Sequence, residues 1–249
     1  MAKRYLAVIG PTASGKSDLA LALAKKFNGE LVNCDSVQIY KGFDIGAAKP
    51  SLAEQTEVRH HLIDSLTWDQ EFDARKFAEF AEGAVQDIER RGKLPIVVGG
   101  TGLYLRALWQ EGFHDLPKDN ALRLELAKLN AEELRQELEQ IDPRRSAEIH
   151  DNDRFRLQRA VEVARLLGHS VKDLDAPLSR RDEAFVIALN TPRALLLERI
   201  SRRSRKMLTD GLIEEVEGLL RQGVAEDCKP MQSIGYHEVL LFLRGAIDR

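Results

Sequence analysis

The chain has 249 residues, of which 43% are hydrophobic and 31% charged, and a formal net charge of −3 at pH 7. At ~150 residues per domain this length is one large domain or a core with a smaller appendage, with the composition of a globular protein. No apolar run approaches the ~20 residues needed to cross a bilayer, residues 1–5 lack a signal-peptide layout, and the overall charge does not mark a nucleic-acid binder, although local clusters of cations set the field that a phosphate backbone meets.

In chain order, Tyr5–Ile9 is a short apolar run closed by Gly10, as expected of a buried parallel strand. Residues 17–27 read as a helix carrying Leu19, Leu21 and Leu23. Residues 30–34 read as a second strand, ending at Asp35. Over 72–91 the residues Phe77, Phe80, Ala81, Ala84, Val85 and Ile88 recur at helical spacing, and Gly92 stops the helix. Residues 94–98 form a third strand, followed by Gly99-Gly100-Thr101-Gly102 and a helix from Leu103.

Between residues 113 and 179 the character changes. The stretch is rich in leucine and charge, helical in period and interrupted at Asp142-Pro143. Residues 184–189 supply a fourth strand, 195–220 a long helix and 234–243 a last one. Strands alternating with helices predict an α/β fold: a P-loop NTPase-like parallel sheet flanked by helices. The expected division is residues 1–112 as the first part of the core, 113–179 as a small all-helical insertion, and 180–249 as the second part of the core. Cys34 and Cys228 lie far apart and read as reduced thiols of a cytoplasmic protein. No Cys/His spacing suggests zinc.

The segment Gly10, Pro11, Thr12, Ala13, Ser14, Gly15, Lys16, Ser17 meets every fixed position of G-x-x-x-x-G-K-[ST]. It follows a strand and opens a helix, which is the context the motif requires. Backbone N–H groups and the helix N-terminus favour an oligophosphate there. Lys16 adds a point charge, and the Ser17 hydroxyl is a candidate ligand for Mg²⁺. A phosphoryl-transfer enzyme also needs a carboxylate at a neighbouring strand end. The third strand ends in glycines and Thr101 instead. Asp35, at the tip of the second strand, is the best-placed acid, because ligands of open sheets sit beyond the carboxyl ends of strands. It reads either as a general base or indirect metal ligand, or as a turn residue.

Several segments in order resemble one family. They are residues 10–17; Asp35-Ser36-Val37-Gln38 running on to Pro50; residues 95–106; His60-His61-Leu62-Ile63-Asp64; Asn152-Asp153 with residues 159–163; Arg199, Arg203, Met207 and residues 211–216; and Ile234-Gly235-Tyr236 with Glu238. This pattern resembles bacterial tRNA dimethylallyltransferase (tRNA isopentenyltransferase) over nearly the whole chain.

The resemblance implies transfer of a dimethylallyl group from its diphosphate to N6 of the adenosine 3′ to the anticodon, with Mg²⁺ assisting. It implies that residues 10–17 hold the diphosphate and that Thr101 sits at the reaction centre, touching diphosphate and tRNA. Arg203 would stabilise the leaving group and Asp35 would take a proton from the adenine amine. Asp35, Ser36, Val37 and Gln38 would grip an everted base. Arg123, Arg159, Ala160, Val161, Glu162 and Val163 would meet the tRNA anticodon stem-loop. A cytoplasmic monomer without an obligate protein partner is expected. Relative to the family, the chain is short between Arg123 and Asp142 and stops before a basic segment, which predicts weaker tRNA affinity and flatter salt dependence. The rival readings are a P-loop kinase moving a phosphoryl group from ATP to a small acceptor, and a nucleotide-binding module without chemistry. His60 and His61 read as structural, Trp68 and Trp109 as core anchors, and Arg202, Arg205 and Lys206 as general phosphate attraction.

Overall fold

The computed structural model describes residues 4–110, 116–170 and 183–248. Contacts divide the chain into two compact units, residues 1–109 with 181–249, and residues 110–180. The expected boundary at residues 112–113 and the one at 179–180 lie outside the described residues.

In the first unit, strands β1 (Tyr5–Ile9), β2 (Gly29–Cys34), β3 (His60–His61), β4 (Leu94–Gly99) and β5 (Ala184–Ala188) make one parallel sheet in the order β3-β2-β4-β1-β5. Gly99 stands opposite both Ile9 and Cys34, so β1, β4 and β2 end level. The loops that follow them therefore emerge together at one edge. β3 was not anticipated, because a two-residue strand shows no alternation to read.

Helices α1 (Lys16–Lys26), α2 (Leu52–Glu57), α3 (Ala74–Arg90) and α4 (Gly102–Trp109) connect the strands. α2 was also missed, though Ser51 and Glu54 form a capping box that marks its start. Val8, Leu31, Ile96 and Val98 of the sheet pack with Ala20 and Ala24 of α1 in one buried cluster. α3 buries Phe77, Ala81, Val85 and Ile88 of the expected stripe, while Phe80 is exposed and Ala84 half-buried. Burying Phe77 and Ile88 stabilises by about 1.5–3 kcal/mol each. Phe77 also stacks on Tyr104 of α4 with ring centroids 4.7 Å apart, which fixes the helix that follows the β4 loop.

The second unit is helical: α5 (Asn120–Leu126), α6 (Ala131–Ile141), α7 (Pro143–Ser146) and α8 (Arg154–Leu167). Its core is Leu126, Leu134, Leu138, Ile149, Leu157, Val161 and Ala164. The remaining helices belong to the first unit: α9 (Arg193–Thr209), α10 (Leu212–Arg221) and α11 (Tyr236–Leu243). The single helix expected over 195–220 is thus two. Gly211 separates them with φ 104°, a left-handed conformation that ends α9 and re-aims the chain.

At the opposite end of β2 from Asp35, the buried Glu30 carboxylate takes hydrogen bonds from Arg91, from Lys93 at 2.9 Å and from His61 at 2.7 Å. The Arg91 guanidinium foremost, then His61 and Lys93, hold the Glu30 carboxyl well below the usual carboxylate range against the effect of burial. A depressed folded-state pKa contributes stability above the unfolded value that is lost as pH falls. Glu30→Gln is therefore expected to be less stable than the parent at neutral pH, with the gap narrowing from about pH 5 to about pH 3 in urea titrations. A gap that is constant across that range would remove this assignment.

Candidate active site

The loop after β1 turns back on itself through Ala13 (φ 62°) and Gly15 (φ 90°) into the first turn of α1. No side chain caps that helix, so its first N–H groups remain to bind an anion. Ala13 holds a conformation that only glycine adopts cheaply, a strain found where backbone must face a ligand. Ser14 Oγ is buried with no hydrogen-bond partner among the described residues. A buried, unsatisfied hydroxyl at this position fits a site that completes itself around a phosphate. Thr12 and Ser17 expose their side chains beside it. The β4 loop touches the same place, since a Cβ at Gly100 would stand 2.9 Å from the Gly10 carbonyl oxygen.

Lys16 donates to the Pro11 carbonyl oxygen at 3.2 Å. Burial lowers its pKa, Asp35 raises it and Arg203 lowers it. Burial also lowers the pKa of Arg203, and Asp35 again opposes the shift. Asp35, Lys16 and Arg203 therefore share one electrostatic environment at the carboxyl edge of the sheet. Arg203 is half-buried and has no hydrogen bond or ion pair among the described residues. A guanidinium held this way invites an anion.

Asp35 takes the turn role that its sequence context allowed. Its Oδ1 accepts N–H bonds from Val37 at 2.8 Å and Gln38 at 3.2 Å, closing a tight turn through Ser36. Oδ2 makes no hydrogen bond among the described residues. Thr101 lies against the preceding residue, as Cys34 Sγ donates to the Thr101 carbonyl oxygen at 3.9 Å. Gln38 differs from expectation. Its Nε2 donates to the carbonyls of Ala47 at 2.9 Å and Ala48 at 3.1 Å, so both amide hydrogens are used and only Oε1 remains, as an acceptor.

A cleft of about 1170 Å³ is lined by the phosphate loop, Gln38, Lys49 and one face of α9. That exceeds the ~300–1,000 Å³ of an ordinary small-molecule site and leaves room for a second, larger group. Arg199, Arg202, Arg203 and Lys206 line it together because residues three, four and seven apart share a helix face. Arg199 reaches the loop itself, 3.4 Å from the Ala13 carbonyl oxygen. Arg202 and Lys206, read from sequence as general attraction, thus belong to the cleft wall. Lys49 was missed. Its side chain is only 4% exposed, donates to Tyr40 O at 2.7 Å and pairs with Asp44 and Asp64. His60 also lines the cleft; its Nδ1 lies 2.7 Å from the Val58 carbonyl oxygen, and burial lowers its pKa. Among the described residues no three His, Cys, Asp or Glu side chains converge as a metal-binding group.

In the helical unit, the buried Glu162 carboxylate accepts from Arg123 Nε at 2.8 Å, Arg159 Nη1 at 2.5 Å and Asp119 N at 3.0 Å. Arg159 also holds the carbonyls of Leu116 and Pro117. These donors hold the Glu162 pKa below its ordinary value despite burial. Ala160, Val161 and Val163 are buried as well. The 160–163 side chains are thus buried, with Ala160 and Val161 in the core of this unit. Arg123 and Arg159 retain 35% and 26% of their side-chain exposure.

A family model described as IPP transferase matches residues 38–249. A tRNA dimethylallyltransferase 2 of Geotalea daltonii is 44% identical over 98% of this chain and 77% of its own length. A tRNA dimethylallyltransferase 1 of Trichlorobacter lovleyi is 44% identical over 100% of this chain and 84% of its own. A crystal structure of tRNA delta(2)-isopentenylpyrophosphate transferase from Staphylococcus epidermidis matches with TM-score 0.68 at 37% identity, covering 98% of this chain and 82% of that one. A eukaryotic dimethylallyltransferase acting on tRNA matches with TM-score 0.77 at 30% identity, over 98% of this chain and 64% of that one.

Proposed function

Since the chain belongs to the IPP transferase family, we propose that it transfers a dimethylallyl group from dimethylallyl diphosphate to N6 of the adenosine 3′ to the anticodon of tRNA. The observation that carries this reading is that β1, β4 and β2 end level, which brings the uncapped phosphate loop and Asp35 to one edge of the sheet. A leaving-group site and a proton acceptor then stand at one sheet edge, beside a cleft large enough for a nucleobase.

In the proposed reaction the C1–O bond of the dimethylallyl diphosphate breaks and an N6–C1 bond forms. The amine proton passes to Asp35 Oδ2. The electron pair leaves with the diphosphate, whose growing charge meets Lys16, Arg203 and the N–H groups of residues 10–17. The adenine amine is a poor nucleophile because its lone pair is delocalised into the ring, so proton removal during bond formation is the assistance it needs. Gln38 Oε1 is suited to accept from that same amino group. We assign Thr101, on the loop after β4, to contact with diphosphate and tRNA. We assign Arg123 and Arg159, which keep part of their side chains exposed beside Glu162, to contact with tRNA phosphates.

The residues present fit Mg²⁺ as an assisting ion. Ser17 offers one exposed hydroxyl at the first turn of α1, and Mg²⁺ at phosphates keeps most of its ligands as water and phosphate oxygen. When bound, it supplies neutralisation of diphosphate charge. Among the described residues no helix is long and apolar enough to cross a membrane. We infer that it acts in the cytoplasm, as expected for tRNA modification, and as a monomer.

Incubation with radiolabelled dimethylallyl diphosphate and unmodified tRNA is expected to put label into tRNA, with N6-dimethylallyladenosine as the labelled nucleoside by mass spectrometry. Unlabelled tRNA together with transfer of the ATP γ-phosphate to a small acceptor would replace this reading with that of a kinase.

A further inference from the structure

Gln38 can present only an acceptor because its two amide hydrogens are tied to the carbonyls of Ala47 and Ala48. What holds those carbonyls lies far away in sequence. Glu215 of α10 accepts from three consecutive backbone N–H groups: Asp44 at 3.1 Å, Ile45 at 2.7 Å and Gly46 at 3.3 Å. Tyr236, at the start of α11, accepts from the fourth, Ala47 N, at 3.2 Å. Its hydroxyl donates to Glu215 Oε1 at 2.6 Å. Residues 44–49 form a tight turn, with Ala48 N bonded to Ile45 O and Lys49 N to Asp44 O. The Glu215–Tyr236 pair thus caps four successive donors of this turn, as a bound anion would.

The turn also seats against the Tyr236 ring. A Cβ on Gly46 would lie 2.6 Å from two atoms of that ring and 2.8 Å from Leu212 Cδ1, so only glycine permits the contact. Phe43 meets the same ring edge-on, with centroids 5.1 Å apart. The Tyr236 hydroxyl pKa is raised far above its ordinary value, first by burial and then by its bond to Glu215, so it stays a donor throughout the working pH range.

We propose that Glu215 and Tyr236 are positioning residues for target-base selection. They lock the 44–49 turn, whose carbonyls fix the Gln38 amide with its oxygen outward, and so set the enzyme to prefer a base that carries an exocyclic amino group. This rests on the reading of Gln38 as the residue that meets the target base. A loosened turn frees the Gln38 amide to rotate and offer a donor, which erases the preference without touching the phosphate loop.

The test measures binding of two anticodon stem-loop RNAs, with adenosine or with purine riboside at the target position, in the presence of inorganic diphosphate in place of the prenyl donor. The wild type is expected to favour adenosine by about tenfold, the scale of one buried hydrogen bond. Gln38→Ala is expected to bring the ratio close to one. Tyr236→Phe and Glu215→Gln are expected to lower it at least threefold, while diphosphate affinity stays within twofold of wild type. Gly46→Ala, which drives a methyl group into the Tyr236 ring, is expected to do the same. Diphosphate affinity and a thermal midpoint above the assay temperature show that each variant is folded. A merely structural pair would lower stability and both RNA affinities alike and leave the ratio untouched. A wild-type ratio in Tyr236→Phe and Glu215→Gln, alongside a reduced one in Gln38→Ala, overturns the positioning role alone. Equal ratios in wild type and Gln38→Ala overturn the reading of Gln38 and the proposal with it.

Discussion

Asp35→Ala is expected to slow prenyl transfer by about 10² or more in a single turnover, the scale of a lost, positioned general base. Diphosphate affinity should stay close to wild type, because the loop N–H groups, Lys16 and Arg203 remain. Geometry supports the separation. Oδ1 is committed to the Val37 and Gln38 N–H groups, so the carboxylate is fixed in direction with Oδ2 available. Asp35→Asn keeps an oxygen for that turn and loses the base, so it should be as slow as alanine while preserving RNA affinity. A single-turnover rate within threefold of wild type in either variant would retire Asp35 from proton transfer and leave it a turn residue.

The second large effect is expected from Arg203→Ala, a loss of about 10²–10³ in kcat with little change in stem-loop affinity. Preorganised charge has most effect where charge grows during reaction, and removing one such donor costs about this much. Arg203 is half-buried and unpaired among the described residues, so its guanidinium is poised and does not first have to leave a carboxylate. Arg203→Lys should recover only part of the rate, because a point charge does not reproduce the planar fork. If Arg203→Ala instead weakens stem-loop binding and spares kcat, the residue is an RNA contact. Arg202, on the same helix but with its side chain exposed, is the internal comparison and should cost far less.

Much of this architecture was legible because β1, β2 and β4, largely buried, read as short apolar runs, as does the more exposed edge strand β5. The strand-end rule put Asp35 at the same sheet edge as the 10–17 loop, and β1, β4 and β2 do end level. Three features were not legible for physical reasons. Lysine ordinarily reads as surface, yet Lys49 is buried because Tyr40 O, Asp44 and Asp64 converge on it only in the folded loop. The orientation of the Gln38 amide depends on carbonyls that α10 and α11 position, and no local pattern encodes that. The 159–163 stretch read as an RNA contact, whereas Glu162 draws Arg123 and Arg159 inward. The spacing of 159 and 162 hinted at the pair, but Arg123 is brought by packing from another helix.

The pairing of β5 beside β1 joins Tyr5 to Ala184. During synthesis the first strand waits for that neighbour while the intervening polypeptide is made, roughly 10–35 s at typical elongation speeds. Until then β1 offers an open, sticky margin to other nascent chains, and Arg203 has not left the ribosome. The helical unit, built from contacts close in sequence, has time to complete first. Catalytic competence therefore arrives late in biogenesis, with the closing of the sheet.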